Sequence, residues 1–207
     1  MVRVKICGIT SVKDALAAES AGADALGFVF TKSPRRVSAS RVRSIVKNLG
    51  PWIATVGVFV NERPEVILST AKICGLSAVQ LHGEETQAYV SRLRAKGLVV
   101  IQAFRIKTAK DLAFARRSKA DAILMDSAVR GVRGGTGRIF DWALLKKCKT
   151  KLPVIISGGL NAKNLHELLR EYAPYGVDVS SGVESGPGVK NTEKVRKFIR
   201  RAKSSNS

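Results

Sequence analysis

Short apolar runs alternate with amphipathic segments along the whole chain. The runs Val2–Cys7, Ala25–Phe30, Ile53–Phe59, Ala78–Leu81, Val99–Phe104, Ala122–Met125, Val154–Ser157 and Val177–Val179 are rich in Val, Ile and Phe and predict strands. Helical spacing of apolar positions predicts helices over Val12–Ala21, Ala39–Asn48, Pro64–Cys74, Thr86–Ala95, Ala109–Ser118, Asp141–Lys147, Ala162–Glu171 and Thr192–Lys203. The last of these shows the pattern clearly. Val195, Phe198, Ile199 and Ala202 make one stripe, and Lys194, Arg196, Lys197, Arg200, Arg201 and Lys203 cover the rest. Local signals agree with these boundaries: Ser11 with Asp14 resembles a capping box, and Gly22, Gly75 and Gly97 follow helix ends.

Continuous apolar strands joined by helices imply a parallel sheet covered by helices. An open doubly wound sheet is one solution, but no GxGxxG follows the first strand. Polar or small residues recur at the ends of strands around the whole chain, which favours closure. The expected fold is therefore α/β, a single (β/α)8 TIM barrel with eight parallel strands and outer helices. Residues 1–203 are expected to form this one domain and 204–207 a short polar tail.

Composition narrows the class. The chain has 207 residues, 45% hydrophobic and 25% charged, in keeping with one globular domain. No apolar run reaches the ~18 residues of a membrane span, and the N-terminus alternates rather than forming a signal peptide's apolar core, so a cytoplasmic protein without membrane association is expected. Cys7, Cys74 and Cys148 are far apart and no CxxC pair occurs. With His82 and His166 as the two histidines, no metal site is expected. The net charge of +20 suits either a polyanion partner or a small anionic substrate drawn in by the field. Because the basic residues are spread over helices rather than gathered in an arm, nucleic acid is not expected as the main partner.

In a parallel barrel the chemistry gathers at the C-terminal strand ends. Those ends carry Cys7, Gln80 with His82, Asp126, Ser157-Gly158-Gly159 and Asp178 with Ser180-Ser181-Gly182. The last two strands each stop at small residues before a turn, leaving backbone N–H groups that suit a phosphate. This points to a sugar phosphate as substrate. A thiol (Cys7) and a carboxyl (Asp126) across the barrel mouth could move protons between neighbouring sugar atoms without metal or cofactor. Taken alone, Cys7 reads better as a buried structural thiol, and Asp126 reads as readily as a loop cap or ion-pair partner as it does a catalyst. The glycine-rich stretch Arg130–Gly137 reads as a lid or a plain connection.

Lys5-Ile6-Cys7-Gly8-Ile9-Thr10, Gly27-Phe28-Val29-Phe30, Gly57-Val58-Phe59-Val60-Asn61 and Val79-Gln80-Leu81-His82-Gly83 resemble the motifs of the phosphoribosylanthranilate isomerase family. So do Gly134-Gly135-Thr136-Gly137 with Phe140-Asp141-Trp142, Ser157-Gly158-Gly159-Leu160 and Asp178-Val179-Ser180-Ser181-Gly182-Val183-Glu184, all in family order. The resemblance implies a cofactor-free Amadori rearrangement in L-tryptophan biosynthesis. It converts N-(5′-phosphoribosyl)anthranilate to 1-(2-carboxyphenylamino)-1-deoxyribulose 5-phosphate. It further implies Asp126 as general acid and Cys7 as general base. Phosphate is expected on Gly158, Gly159, Ser181 and Gly182, with Asp178 near the ribose hydroxyls. Arg35 is expected on the substrate carboxylate, with Arg36 as the alternative; Gln80 and His82 receive no chemical step. Monomer and homodimer are both compatible with such a barrel.

Two other readings compete. A sister phosphosugar barrel, either the histidine-pathway isomerase or indole-glycerol-phosphate synthase, would be expected to show paired aspartates or a catalytic lysine with an extra N-terminal helix. A nucleic-acid-binding protein has only the charge in its favour.

Overall fold

The computed structural model describes residues 1–126 and 148–204. Eight strands are hydrogen-bonded in sequence order and close on themselves: β1 (Arg3–Cys7), β2 (Ala25–Val29), β3 (Ala54–Phe59), β4 (Ala78–Leu81), β5 (Val99–Arg105), β6 (Ala122–Asp126), β7 (Val154–Ser157) and β8 (Gly176–Val179). Every pairing is parallel, and β1 closes the barrel on β8 with Lys5 opposite Asp178. The expected barrel is thus the fold observed. Seven helices lie among the described residues: α1 (Val12–Ser20), α2 (Ala39–Val46), α3 (Pro64–Cys74), α4 (Gln87–Arg94), α5 (Ala109–Ala115), α6 (Leu165–Glu171) and α7 (Thr192–Ser204). The helix expected over Asp141–Lys147 and the glycine-rich stretch Arg130–Gly137 lie outside the described residues.

Strand alternation sorts the side chains into two cores. Val4, Ile6, Leu26, Phe28, Val177 and Val179 point outward to the helices, where they meet Ala15, Ala18, Val195, Phe198 and Ile199. Each such large side chain, removed from water, contributes about 1.5–3 kcal/mol. Inside the barrel, Val56, Ala78, Ile101, Ala103, Ala122, Leu124 and Ile155 form a separate apolar cluster. That cluster fills the barrel, and the polar residues Lys5, Gln80 and Asp178 are buried near it.

Helix starts follow local chemistry. Ser11, Ser38 and Thr86 each accept the backbone N–H three residues on. The reciprocal capping box belongs to Thr108 and Asp111 at α5, while Ser11 and Asp14 share only its first half. α3 ends at Gly75, whose φ of 66° is the left-handed conformation of a helix C-cap. No helix among the described residues is long and apolar enough to cross a membrane.

One element is absent from the sequence expectation. After β8 comes a 3-10 turn at Ser181–Val183. An antiparallel hairpin of β9 (Glu184–Gly186) and β10 (Val189–Lys190) follows it. Thr10 Oγ1 donates to Gly188 O (2.6 Å) and Lys190 N donates to Asp14 Oδ2 (3.2 Å), tying this hairpin to the start of α1.

Candidate active site

β1 presents Lys5 and Cys7 to the barrel interior because Val4 and Ile6 take the outward positions. Both inward side chains lie over Gly27 of β2. A Cβ at that glycine would stand 2.8 Å from Cys7 Sγ and 3.1 Å from Lys5 Cε, so only a glycine leaves room for the pair. Lys5 Nζ donates to Asp178 Oδ1 (2.8 Å), and Ser157 Oγ donates to the other oxygen, Oδ2 (3.1 Å). Burial works against the Lys5 ammonium, but Asp178 and then Cys7 hold it above the ordinary lysine value. Burial pushes the Cys7 thiol up; the Lys5 and Lys190 ammonium groups pull the other way without overcoming it.

Lys5 also starts a chain that crosses the barrel. Its Nζ donates to Gln80 Oε1 (3.0 Å), which turns the Gln80 amide nitrogen toward His82 Nδ1, 3.0 Å away. An amide NH2 can only donate, so Nδ1 must accept and the imidazole proton sits on Nε2. That nitrogen lies 3.2 Å from Asp126 Oδ2 and donates to it. A buried lysine on β1 therefore sets the tautomer of a histidine beyond β4 and, through it, orients a carboxyl at the end of β6.

The loops after β7 and β8 come together across Gly182. A Cβ there would fall 1.9 Å from Leu160 O, a distance no side chain tolerates. Gly158 and Gly159 adopt φ of 97° and 67°, and a Cβ at Gly159 would meet nothing within 4 Å. The small-residue ends of β7 and β8 thus form one cradle with an open side. Beside it, Ser180 Oγ is buried with no hydrogen-bond partner among the described residues. Gly182→Ala is expected to separate the two loops, lower stability by about 1–3 kcal/mol, and raise KM more than it lowers kcat. Thermal unfolding with steady-state kinetics checks this, and an unchanged KM would remove Gly182 from the binding surface.

The loop after β2 carries Arg35 across Gly8, where a Cβ would lie 2.5 Å from Arg35 Cδ. Arg35 is half-buried and Arg36 is exposed. Arg35 Nε and Nη2 donate to Glu184 Oε1 and Oε2 at 2.8 and 2.6 Å, and Lys190 Nζ donates to the same Oε1 at 2.8 Å. Burial alone would raise the Glu184 carboxyl, but Arg35 and Lys190 hold it below the usual glutamate range. Burial pulls the Lys190 ammonium down, and Glu184 restores part of the loss.

Cys7, Asp178, Ser157 and Asp126 are linked through Lys5, Gln80 and His82, while Gly158, Gly159, Ser181 and Gly182 form the neighbouring cradle. The residues that sequence reasoning missed are Lys5, Glu184 and Lys190. Lys5 had a usable signal, since a lysine between Val4 and Ile6 in an apolar strand must face the barrel interior.

Residues 4–201 match the protein-family description "N-(5'phosphoribosyl)anthranilate (PRA) isomerase". The chain belongs to this isomerase family. Named isomerases of this family are 46% identical in Pelobacter propionicus, over 208 residues covering 100% of this chain and 98% of the relative. In Rubrobacter xylanophilus the identity is 47% over 206 residues, covering 99% and 100%. The fold agrees. The phosphoribosylanthranilate isomerase structure from Thermotoga maritima superposes with a TM-score of 0.91 at 43% identity, covering 98% of this chain and 99% of that one. A second isomerase structure, in complex with reduced 1-(o-carboxyphenylamino)-1-deoxyribulose 5-phosphate, gives a TM-score of 0.87 at 41% identity, covering 98% and 99%. A third, at 40% identity and a TM-score of 0.86, is of monomers generated from the dimeric Thermotoga maritima enzyme, and covers 99% and 100%. Like these relatives, the chain is an isomerase.

Proposed function

We propose that this isomerase converts N-(5′-phosphoribosyl)anthranilate to 1-(2-carboxyphenylamino)-1-deoxyribulose 5-phosphate, the tryptophan-pathway step its family is named for. The observation that carries this reading is the chain from Lys5 through Gln80 and His82 to Asp126, with Cys7 beside Lys5 at its start. It sets a carboxyl and a thiol on opposite sides of one barrel mouth, and the Gly158/Gly182 cradle stands next to them.

Asp126 acts as general acid. Its Oδ2 accepts the His82 N–H, which fixes the plane of the carboxyl that delivers the proton. Protonation of the ribose ring oxygen breaks its bond to C1′ and leaves a protonated Schiff base between C1′ and the anthranilate nitrogen. Cys7, as thiolate, then removes the proton on C2′. The electron pair moves to form the C1′–C2′ double bond of an enolamine and neutralises the iminium nitrogen. Return of a proton to C1′ with loss of the C2′ hydroxyl proton gives the ketone, so the sequence is an isomerisation with no net change in protons. Lys5 stabilises the thiolate as it forms, and positioning of both groups does the rest.

The phosphate sits on the backbone N–H groups of Gly158, Gly159, Ser181 and Gly182, with Ser180 Oγ a further donor beside them. Asp178 serves the ribose hydroxyls from its place between Lys5 and Ser157. Arg35 takes the substrate carboxylate, a choice over Arg36 supported by its stem lying across Gly8, next to Cys7. The +20 charge draws a substrate with two anionic groups toward this mouth. The experiment is product identification. Purified protein is expected to convert the substrate to material that co-elutes with authentic product. Absence of that product from a folded protein would overturn the reading, and the substrates of sister barrels would be tried next.

A further inference from the structure

Arg35 is the group assigned to the substrate carboxylate, yet its guanidinium already holds a carboxylate of the protein. The way it does so leaves a place for a second. Glu184 takes the side of the fork formed by Nε and Nη2. The end of the fork, formed by Nη1 and the second Nη2 proton, makes no hydrogen bond among the described residues. A guanidinium has five N–H donors in one plane, so one carboxylate on its side leaves a two-donor face at its end for another. The Arg35 side chain keeps 23% of its surface exposed, whereas Glu184 keeps 5%. The arginine side chain is therefore partly open to solvent, while the carboxylate that holds it is closed off.

Glu184 is itself held. Lys190, with its side chain 1% exposed, donates to Glu184 Oε1 and to Ser180 O, and Lys190 N is tied to Asp14. Two cationic side chains thus share a single carboxylate, which leaves the arginine end able to attract a second anion. The hairpin β9–β10 supplies both Glu184 and Lys190, and Gly188 in its turn packs against Pro34 O and the Arg35 backbone. This small element therefore meets the arginine both at its guanidinium and at its backbone.

We propose that Glu184, anchored by Lys190, is a positioning residue that fixes the plane of the Arg35 guanidinium so that its free end meets the substrate carboxylate in a two-hydrogen-bond grip. This rests on the assignment of Arg35 to that carboxylate. The long stem of an unbraced arginine would sample many rotamers, and fixing one in advance is what preorganisation contributes to binding. The same contacts could instead merely staple the hairpin to the loop after β2, and the two roles differ in what they do to ligand selectivity.

The test measures inhibition by two compounds that differ in one group: the reduced product analogue 1-(2-carboxyphenylamino)-1-deoxyribitol 5-phosphate, and 1-phenylamino-1-deoxyribitol 5-phosphate, which lacks the carboxylate. Arg35→Met should abolish the preference for the carboxylate compound; if the preference survives, the assignment of Arg35 fails. Glu184→Gln should weaken the carboxylate compound about tenfold or more and the other less than about twofold, in the range of a lost charge-assisted grip. If Arg35→Met removes the preference while Glu184→Gln keeps it, Glu184 is only a staple and the proposal is overturned. Glu184→Gln leaves Lys190 buried without its carboxylate and could lower stability. The double variant Glu184→Gln/Lys190→Met removes that orphan, and it is expected to show the same selective loss in a protein that melts cooperatively.

Discussion

Asp126→Asn is expected to keep the fold and the affinity for phosphate-bearing ligands while losing about 10²–10⁴-fold in kcat, the range that one general acid contributes. The substitution is nearly isosteric and the asparagine oxygen can still accept the His82 N–H, so the network from Lys5 stays intact. What disappears is the proton destined for the ring oxygen, since an amide cannot supply it. Inhibition by the reduced product should change little, which separates chemistry from binding. A kcat within a few-fold of the parent would remove Asp126 from the acid role.

Cys7→Ala is expected to abolish measurable turnover with little cost to the fold. The thiol is removed from a small cluster with Val29 and Val58, beside the glycine that makes room for it. The thiol also makes a pH prediction. Burial holds it above its ordinary value of 9.0, so the neutral form dominates near neutrality and the thiolate fraction grows with pH. Alkylation of Cys7 should therefore accelerate about tenfold per unit over roughly pH 7–9 with no plateau. The Cys7→Ala protein corrects for Cys74 and Cys148, which are buried and likewise shifted upward. A plateau reached below pH 7 would mean that Lys5 and Lys190 outweigh burial and that the resting base is a thiolate.

The barrel was legible in the sequence because each strand is an apolar run and each connection an amphipathic helix, a pattern that few architectures share. Strand ends were legible too, and with them Cys7, Asp126, Asp178 and the two glycine loops, because a parallel barrel gathers those ends on one face. The hairpin β9–β10 was not. Its strands are three and two residues long, and the Pro187-Gly188 between them reads as an ordinary turn. Nothing in the sequence pattern marks Glu184 and Lys190 as a buried pair, although both are buried. Lys5 illustrates a different limit. Alternation shows that it faces inward, but its partners Asp178 and Gln80 stand 173 and 75 residues away in the chain. Likewise, the sequence motif carries Gln80 and His82 side by side with no hint of a step. Only the distances from Lys5 to Gln80 and from His82 to Asp126 turn them into a relay of orientation.

The central claim is that Cys7 and Asp126 interconvert the phosphoribosyl substrate by acid–base chemistry alone. It is tested most directly by following the fluorescence of freshly generated N-(5′-phosphoribosyl)anthranilate in EDTA with parent, Cys7→Ala and Asp126→Asn proteins. The account predicts rapid fluorescence loss with the parent protein, none above background with Cys7→Ala, and a rate about 10²–10⁴-fold lower with Asp126→Asn. Undiminished loss with either variant, or no loss with a folded parent protein, would contradict it.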